Sequence, residues 1–173
     1  MNTTSTRYAW HASPVGRLLL AGSDDCLSSI SFPSGRGARK PQPDWVEDLS
    51  VFTETIRQID GYFTGELTGF LLPLAPPANE FAARMRQAML AIPYGETATY
   101  GEIARVIGEP VSASRAVGTA CGENPLPIVV PCHRVVGAGG ALTGFGGGLE
   151  TKQFLLDLEF RVRPPADTLF GVI

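Results

Sequence analysis

Residues 99–122 read TYGEIARVIGEPVSASRAVGTACG, and their periodicity decides the fold of the second half of the chain. Thr99 stands where a helix N-cap is expected, with Glu102 three residues on, the spacing of a capping box. Ile103, Val106 and Ile107 form the apolar face of a short helix, and Gly108-Glu109-Pro110 ends it. Ser112 is placed to cap a second helix. In it Ala113, Ala116, Val117, Ala120 and Cys121 fall at i, i+3, i+4, i+7 and i+8, a buried stripe. Two short helices joined by a Gly-containing turn make a helix-turn-helix pattern. The opposite face of the second helix carries Ser114, Arg115, Gly118, Thr119 and Gly122. A solvated face would carry Lys, Glu and Gln, because glycine costs roughly 1 kcal/mol in a helix. So small a face implies that something large approaches the backbone. On pattern alone, packing against another part of the chain is the commoner cause, and DNA is the alternative.

Upstream, Arg7–Ala12 alternates, Pro14-Val15-Gly16 turns, Arg17–Ala21 continues the ladder, and Cys26–Phe32 follows a second turn at Ser23-Asp24-Asp25. These are antiparallel strands. Residues 33–44, rich in Pro, Gly and Arg, form an exposed loop. Phe52, Ile56, Ile59 and Phe63 predict an amphipathic helix over Val51–Phe63, and Phe70–Leu74 reads as one more strand. Ala75-Pro76-Pro77-Ala78-Asn79 breaks the pattern. Phe81, Met85, Ala88, Met89 and Ile92 then mark a helix ending before Pro93-Tyr94-Gly95. The fold class is α+β, with a strand-rich domain over 1–75, a mainly helical domain over 77–165 and a tail over 166–173.

The composition narrows the function. With 44% hydrophobic and 18% charged residues in 173, the chain is a soluble globular protein large enough to need no disulfides. Its three Cys (26, 121 and 132) include no CxxC pair, so neither a disulfide framework nor a thiolate zinc site is indicated. No run approaches a membrane span, and Met1–Trp10 lacks the apolar core of a signal peptide, so the expected location is the cytoplasm. The net charge of −3 argues mildly against a nucleic-acid partner; any DNA contact must come from a few placed arginines.

One of only two histidines adjoins a cysteine, at Cys132-His133-Arg134. The preceding Leu126–Pro131, fenced by prolines, reads as an extended segment outside any central strand. A cysteine becomes a nucleophile when its proton is removed or its thiolate stabilised. Neighbours on a strand point to opposite faces, so His133 serves Cys132 only if the chain turns here or a water intervenes. By base rate, such a dipeptide is more often a structural Cys beside an incidental His. Seven of the 20 glycines lie in Gly137–Gly148, with a spacing that fits no phosphate loop, which leaves a flexible loop walling a pocket beside Cys132. Leu149–Glu159 reads as a helix burying Leu155, Leu156 and Leu158. Glu159 at its end either orients the His133 ring or is a solvated helix-end carboxylate, the commoner case on spacing alone.

The segment Asn124–Val135, with its PCHRV core, resembles the active-site segment of the O6-alkylguanine–DNA alkyltransferases. Ile92–Thr97 and Thr99–Ala104 resemble the approach to that family's helix-turn-helix, and Arg115-Ala116-Val117-Gly118 its recognition helix. Gly144–Leu149, Lys152, Leu155-Leu156 and Glu159 resemble its closing helix. The match is strong over roughly 77–160 and holds only in type over the first 75 residues. The resemblance implies a ribonuclease-H-like N-terminal domain and a winged helix-turn-helix alkyltransferase domain. It implies a suicide repair protein that binds duplex DNA through the minor groove and flips O6-alkylguanine (or O4-alkylthymine) out of the stack. In it Cys132 is the nucleophile, His133 takes the thiol proton through a water, Glu159 holds His133, and Tyr100 helps turn the nucleotide out and donates to the guanine ring. Asn124 braces the cysteine segment, while Pro127, Phe145, Gly146 and the carbonyls of Cys132 and Val135 receive the base. Arg115 is the finger that fills the gap, on a helix face completed by Ser114, Gly118, Thr119 and Gly122. Arg134 ties the site to neighbouring carboxylates or carbonyls.

No metal or cofactor is implied; His11 and Cys26 are too few for a zinc site in the N-terminal domain. No membrane or protein partner is implied either, and the expected state is a monomer. Three positions depart from the family: Arg86 where Trp is common, Phe145 where Tyr is common, and the acidic Glu123 near the DNA face. Competing readings are a sensor of alkylated bases without repair, a cysteine hydrolase and a transcription regulator. The presence of Cys132 disfavours the first, the lack of a second well-placed histidine the second, and the reactive-looking Cys the third.

Overall fold

The computed structural model describes residues 5–163; the expected tail over 166–173, like the last two residues of the second domain, lies outside the described residues. Strands β1 (Arg7–Ser13), β2 (Gly16–Gly22) and β3 (Leu27–Ser31) form an antiparallel meander. A two-residue β4 (Val46–Glu47), which the sequence pattern did not announce, adds parallel to β1, giving the order β3-β2-β1-β4. The apolar run Leu18-Leu19-Leu20-Ala21 suits β2 to an interior position of the sheet, buried on both faces.

The expected strand over Phe70–Leu74 does not form; only Leu74 bridges Leu27. Pro73 has no N–H for a ladder. The extended chain is held instead by the Gln58 amide, which donates to the Leu71 carbonyl at 3.0 Å and accepts from the Leu71 N–H at 2.8 Å. Gln58 lies on α1 (Thr53–Thr64), which follows a 3-10 turn at Leu49–Phe52. Phe52 at the end of that turn and Ile59 on the helix are buried as expected, but the helix also buries Thr55, Gln58, Gly61 and Tyr62, whereas Ile56 and Phe63 are only half-buried. It is wedged between the sheet and the second half of the chain, so two faces are covered rather than one stripe.

In the second half, Asn79 caps α2 (Glu80–Leu90) by accepting from the Ala82 N–H at 2.8 Å. On α2, Arg86 donates to the Ala75 carbonyl at 2.8 Å, tying the helix to the linker. The capping box forms as read: Thr99 Oγ1 accepts from the Glu102 N–H and Glu102 from the Thr99 N–H, opening α3 (Tyr100–Val106). Ile103 and Ile107 are buried, but Val106 is 67% exposed and Ala104 takes its place inside, because this short helix stops before a full turn can cover Val106. Ser112 does not cap the next helix. It sits in a 3-10 turn (Val111–Ala113), and α4 (Ser114–Gly122) starts without a side-chain cap. On α4, Val117 and Cys121 are buried and Ala120 is half-buried, as is Ala113 just before the helix, and Ala116, expected inside, is exposed.

A parallel pair, β5 (Ala98–Thr99) with β6 (Val135–Val136), binds the start of α3 to the end of the cysteine segment. Helix α5 (Leu149–Val162) closes the fold. One apolar core runs through both halves, from Leu18 and Leu20 of the sheet to Val117, Leu126 and Leu155. At the seam the Ile30 N–H donates to the Pro125 carbonyl at 2.9 Å.

Candidate active site

The cysteine segment is not extended. Leu126–Val130 folds into compact turns closed by Val130 N–H donating to the Leu126 carbonyl at 2.8 Å. Ile128 is held at φ 75°, the one described non-glycine residue with positive φ, a conformation that costs a β-branched residue about 1–3 kcal/mol. Asn124 pins this turn from both ends, donating to the Val130 carbonyl at 2.9 Å and accepting from the Leu126 N–H at 3.1 Å. Prolines favoured an extended reading. The run is too apolar to lie on the surface, so it folds back into the core instead: Leu126, Ile128 and Val130 are each at most 1% exposed.

The turn passes directly into a 3-10 turn at Cys132–Arg134. The strand alternation that would have separated Cys132 from His133 is therefore absent. Both residues are buried, and His133 Nε2 donates to Glu159 Oε1 at 2.7 Å. The same Glu159 oxygen accepts from Tyr62 Oη at 2.8 Å and Arg134 Nη2 at 3.1 Å; its other oxygen accepts from Arg134 Nε at 2.8 Å and the Gly95 N–H at 3.1 Å. Arg134 Nη1 donates to the Ile92 carbonyl at 2.8 Å, so its expected tying role is what the structure shows. Burial alone would raise the Glu159 pKa, but the hydrogen bond from His133, then the bond and charge of Arg134, outweigh it and hold the carboxyl at about 2. Burial lowers the pKa of His133, so its ring is neutral at pH 7. With Nε2–H committed to Glu159, the lone pair is on Nδ1, which is buried without a protein partner.

Burial also raises the Cys132 pKa. The Asn124 amide, the charge of Lys152 and the N–H groups of Cys132 and His133 work against that rise without cancelling it. The resting group is a thiol, and its chemistry requires a base. Lys152, buried on α5, donates to the carbonyls of Val135 at 2.6 Å and Thr143 at 3.2 Å, clamping the glycine-rich loop to the cysteine segment. Lys152, Leu155, Leu156 and Glu159 follow one another at i, i+3, i+4 and i+7, so two ionisable groups sit on the buried stripe of α5. That pattern was legible and points to a polar site inside. Tyr62 was missed because Phe63, one position on, suits an apolar stripe better than a tyrosine does.

A pocket of 320 Å³ opens onto Cys132. Asn124, Pro127, Phe145 and Gly146 line it as expected, together with Cys121 and with Gly122, which was expected on the DNA-facing side of α4. Phe32 and Arg36 of the first half also border it. Phe145 packs at a tilt against Phe32, ring centroids 5.5 Å apart, and the Gly37 N–H donates to the Gly146 carbonyl at 2.9 Å, so the loop expected to be flexible is clasped to the first half. A Cβ on Gly147 would meet the Phe32 ring at 2.7 Å, which explains a glycine there. Tyr100 and Val135 stand beside the pocket rather than in its wall. Tyr100 Oη accepts from Thr143 Oγ1 at 2.9 Å. The Val135 carbonyl already accepts from Lys152, and that of Cys132 from the Val135 N–H; each oxygen keeps a second lone pair.

On α4, Arg115, Thr119 and Gly122 are exposed, and no side-chain hydrogen bond holds Arg115 among the described residues. Gly122 has nothing within 4 Å of where a Cβ would be. Gly118 is different: the Tyr100 ring covers it, 3.6 Å from that position. Ser114 is half-buried and donates to the Val111 carbonyl. In the first half, His11 pairs with Asp60 at 2.7 Å and Cys26 lies 3.7 Å from Ser23 Oγ, so the two are engaged apart from each other.

Residues 6–76 match the model of the 6-O-methylguanine DNA methyltransferase ribonuclease-like domain, and residues 80–161 that of the same family's DNA-binding domain. The methylated-DNA–protein-cysteine methyltransferase of Methanosarcina acetivorans is 50% identical over 152 residues, covering 88% of this chain and 97% of that protein. The chain belongs to the 6-O-methylguanine DNA methyltransferase family. The namesake from Mycolicibacterium paratuberculosis is 49% identical over 158 residues, 91% of this chain and 94% of its own length. Among solved structures, Mycobacterium tuberculosis OGT in complex with DNA superposes with a TM-score of 0.84 at 44% identity, covering 95% of this chain and 99% of that one. Family membership thus extends over the first half, where the sequence resemblance was one of type alone. It supports the α+β reading of a ribonuclease-like domain followed by a DNA-binding one.

Proposed function

We propose that this methyltransferase repairs duplex DNA by moving the alkyl group of O6-alkylguanine, and of O4-alkylthymine, irreversibly onto Cys132. The observation that carries the reading is a buried thiol at a 320 Å³ pocket, on the same turn as a neutral imidazole whose Nε2–H is fixed by an ionised carboxylate. The flipped base enters between Pro127 and the Phe145–Gly146 loop. His133 Nδ1 takes the thiol proton through one water. The sulfur attacks the alkyl carbon in line, the carbon–oxygen bond breaks, and its electron pair passes to the base, where the Tyr100 hydroxyl supplies a proton. The product is a thioether that none of these groups can cleave, so one molecule repairs one lesion. Burial raises the pKa of Tyr100, which keeps it a donor at neutral pH.

The exposed face of α4 supports a minor-groove contact. Arg115 fills the gap left by the flipped nucleotide, while Thr119 and Gly122 let the backbone come close; Gly118 instead makes room for Tyr100, and Ser114 steadies the helix start. The protein acts as a cytoplasmic monomer on double-stranded DNA. Among the described residues no helix is long and apolar enough to cross a membrane.

The test is mass spectrometry of the intact protein and its peptides after incubation with a duplex holding one O6-methylguanine. One stoichiometric methyl on the Cys132 peptide is expected, and none in Cys132→Ala. Tight lesion binding with no added mass would make the protein a sensor, and turnover without retained mass a hydrolase; either result overturns the proposal.

A further inference from the structure

The relay is completed from the other half of the chain. Tyr62, on α1 of the ribonuclease-like half, is fully buried, donates to Glu159 Oε1 at 2.8 Å and stands 3.4 Å from His133 Nε2. Its ring is held edge-on by Phe63 and Tyr94, at 5.4 and 6.0 Å, and packs on Phe70 at 5.5 Å, so the hydroxyl has little freedom to look elsewhere. We infer that Tyr62 is a positioning residue for alkyl transfer: its hydroxyl shares Glu159 Oε1 with His133 and so sets how strongly the imidazole holds a proton. The inference rests on the Cys132–His133–Glu159 reading above.

Glu159 Oε1 accepts from three donors, His133, Tyr62 and Arg134. Each donor reduces the negative charge offered to the others. The other ionisable groups around the ring are Arg134 on its own turn, Tyr94 before β5, and Cys132 and Lys152; the two cations disfavour an imidazolium, as burial does. Removing the Tyr62 hydroxyl leaves a more basic Oε1 that draws harder on Nε2–H and favours the imidazolium. The weaker 3.4 Å approach of Tyr62 to Nε2 acts in the opposite sense, and the 2.8 Å bond to the carboxylate outweighs it. His133 accepts the thiol proton only when neutral, so the acid limb of the pH–rate profile reports this balance.

The experiment measures single-turnover methyl transfer from an O6-methylguanine duplex across pH for the full-length wild type, Tyr62→Phe and Glu159→Gln. Phenylalanine keeps the packed ring and removes only the hydroxyl. For Tyr62→Phe the acid-side half-point should rise by about half to one pH unit, slowing transfer at acid pH by about 3- to 10-fold, with duplex affinity unchanged. Nitrogen-15 NMR of the His133 ring should show the same displacement without reference to activity. A second variant with 3-fluorotyrosine at position 62, a stronger donor, should move the half-point down, which keeps the inference testable if Tyr62→Phe folds poorly. A limb that superimposes on the wild type in either variant, or moves opposite to these directions, overturns the inference. If Glu159→Gln moves the profile and the Tyr62 variants do not, only the role of Tyr62 falls. If Glu159→Gln leaves it unmoved, the relay itself falls, and the inference with it.

Discussion

The surroundings of Glu159 and the outer face of α4 are built on opposite plans. Around Glu159 the carboxylate takes hydrogen bonds from His133, Arg134, Tyr62 and Gly95, supplied by three separate parts of the chain, and nothing in the group is open to solvent except a little of Arg134. On α4 the arginine has no side-chain partner among the described residues, and nothing lies within 4 Å of where a Cβ on Gly122 would be. A residue of the first kind is specified by other residues of the same chain. One of the second kind makes no sense until a partner outside the chain is supplied. The two regions should therefore respond differently to mutation, the first losing stability and chemistry together and the second losing recognition alone.

The largest expected effect is that of Glu159→Gln. The amide cannot match a carboxylate that pairs with both Arg134 and His133, and it leaves the Arg134 guanidinium buried without its counter-charge. Breaking such a pair costs about 3–5 kcal/mol of stability. Loss of the group that orients the base should also slow methyl transfer by about 100-fold or more. Denaturant melts and single-turnover assays on the same protein check both. Retention of wild-type stability would mean that the carboxylate is not specified from within.

Next in size is the acid limb of stability. Glu159 has a folded pKa of about 2 against an ordinary 4.5, and His133 is also lowered by burial. A depressed folded pKa means that the unfolded chain binds protons first. Both groups therefore contribute stability above their ordinary values, about 6.5 for His133 and 4.5 for Glu159, and that stability is lost as pH falls toward 2. Glu159 accounts for up to about 3 kcal/mol of this loss. Melts from neutral to acid pH should fall steadily in the wild type and more shallowly in Glu159→Gln. Parallel curves would assign the loss to other groups.

How much of this was legible depends on whether a signal was local. The three-strand meander and the Thr99–Glu102 capping box were open to reading, because each is carried by spacing; Cys132-His133 stood out as a rare pair, while the roles of Glu159 and Arg134 came only with the family resemblance. The failures share one cause, tertiary packing that overrides a local pattern. Val106 and Ala116 fit their stripes but lie outside a core that reaches only part of each short helix. The prolines around Leu126–Val130 suggested extension, yet Asn124 folds the segment into a turn. Tyr62 meets Glu159 across 97 positions of sequence, and no window of periodicity can see that far.

On the other region, Arg115→Ala should leave stability within about 0.5 kcal/mol, since an exposed side chain without a bond is lost. Its effect should fall on duplex substrates, where transfer weakens by about 10-fold or more, while reaction with free O6-benzylguanine stays near wild type. Equal losses on both substrates would place Arg115 with the relay and erase the contrast.

Gly122→Ala should give the smallest effect and the sharpest one. Nothing lies within 4 Å of its Cβ position, and the residue ends α4 in ordinary helical backbone. By helix propensity alone alanine should stabilise the protein, by about 0.5 kcal/mol so near a helix end. Glycine at this position is therefore a small cost that internal packing does not explain. If the groove floor or backbone of DNA comes within reach of this face, the added methyl meets it, and duplex affinity should fall several-fold even as the melting temperature rises slightly. Opposite signs for stability and binding from a single methyl would show that the residue is chosen for something outside the chain. A rise in stability with unchanged affinity would move the DNA contact toward Arg115 and Thr119 and leave the glycine without a role.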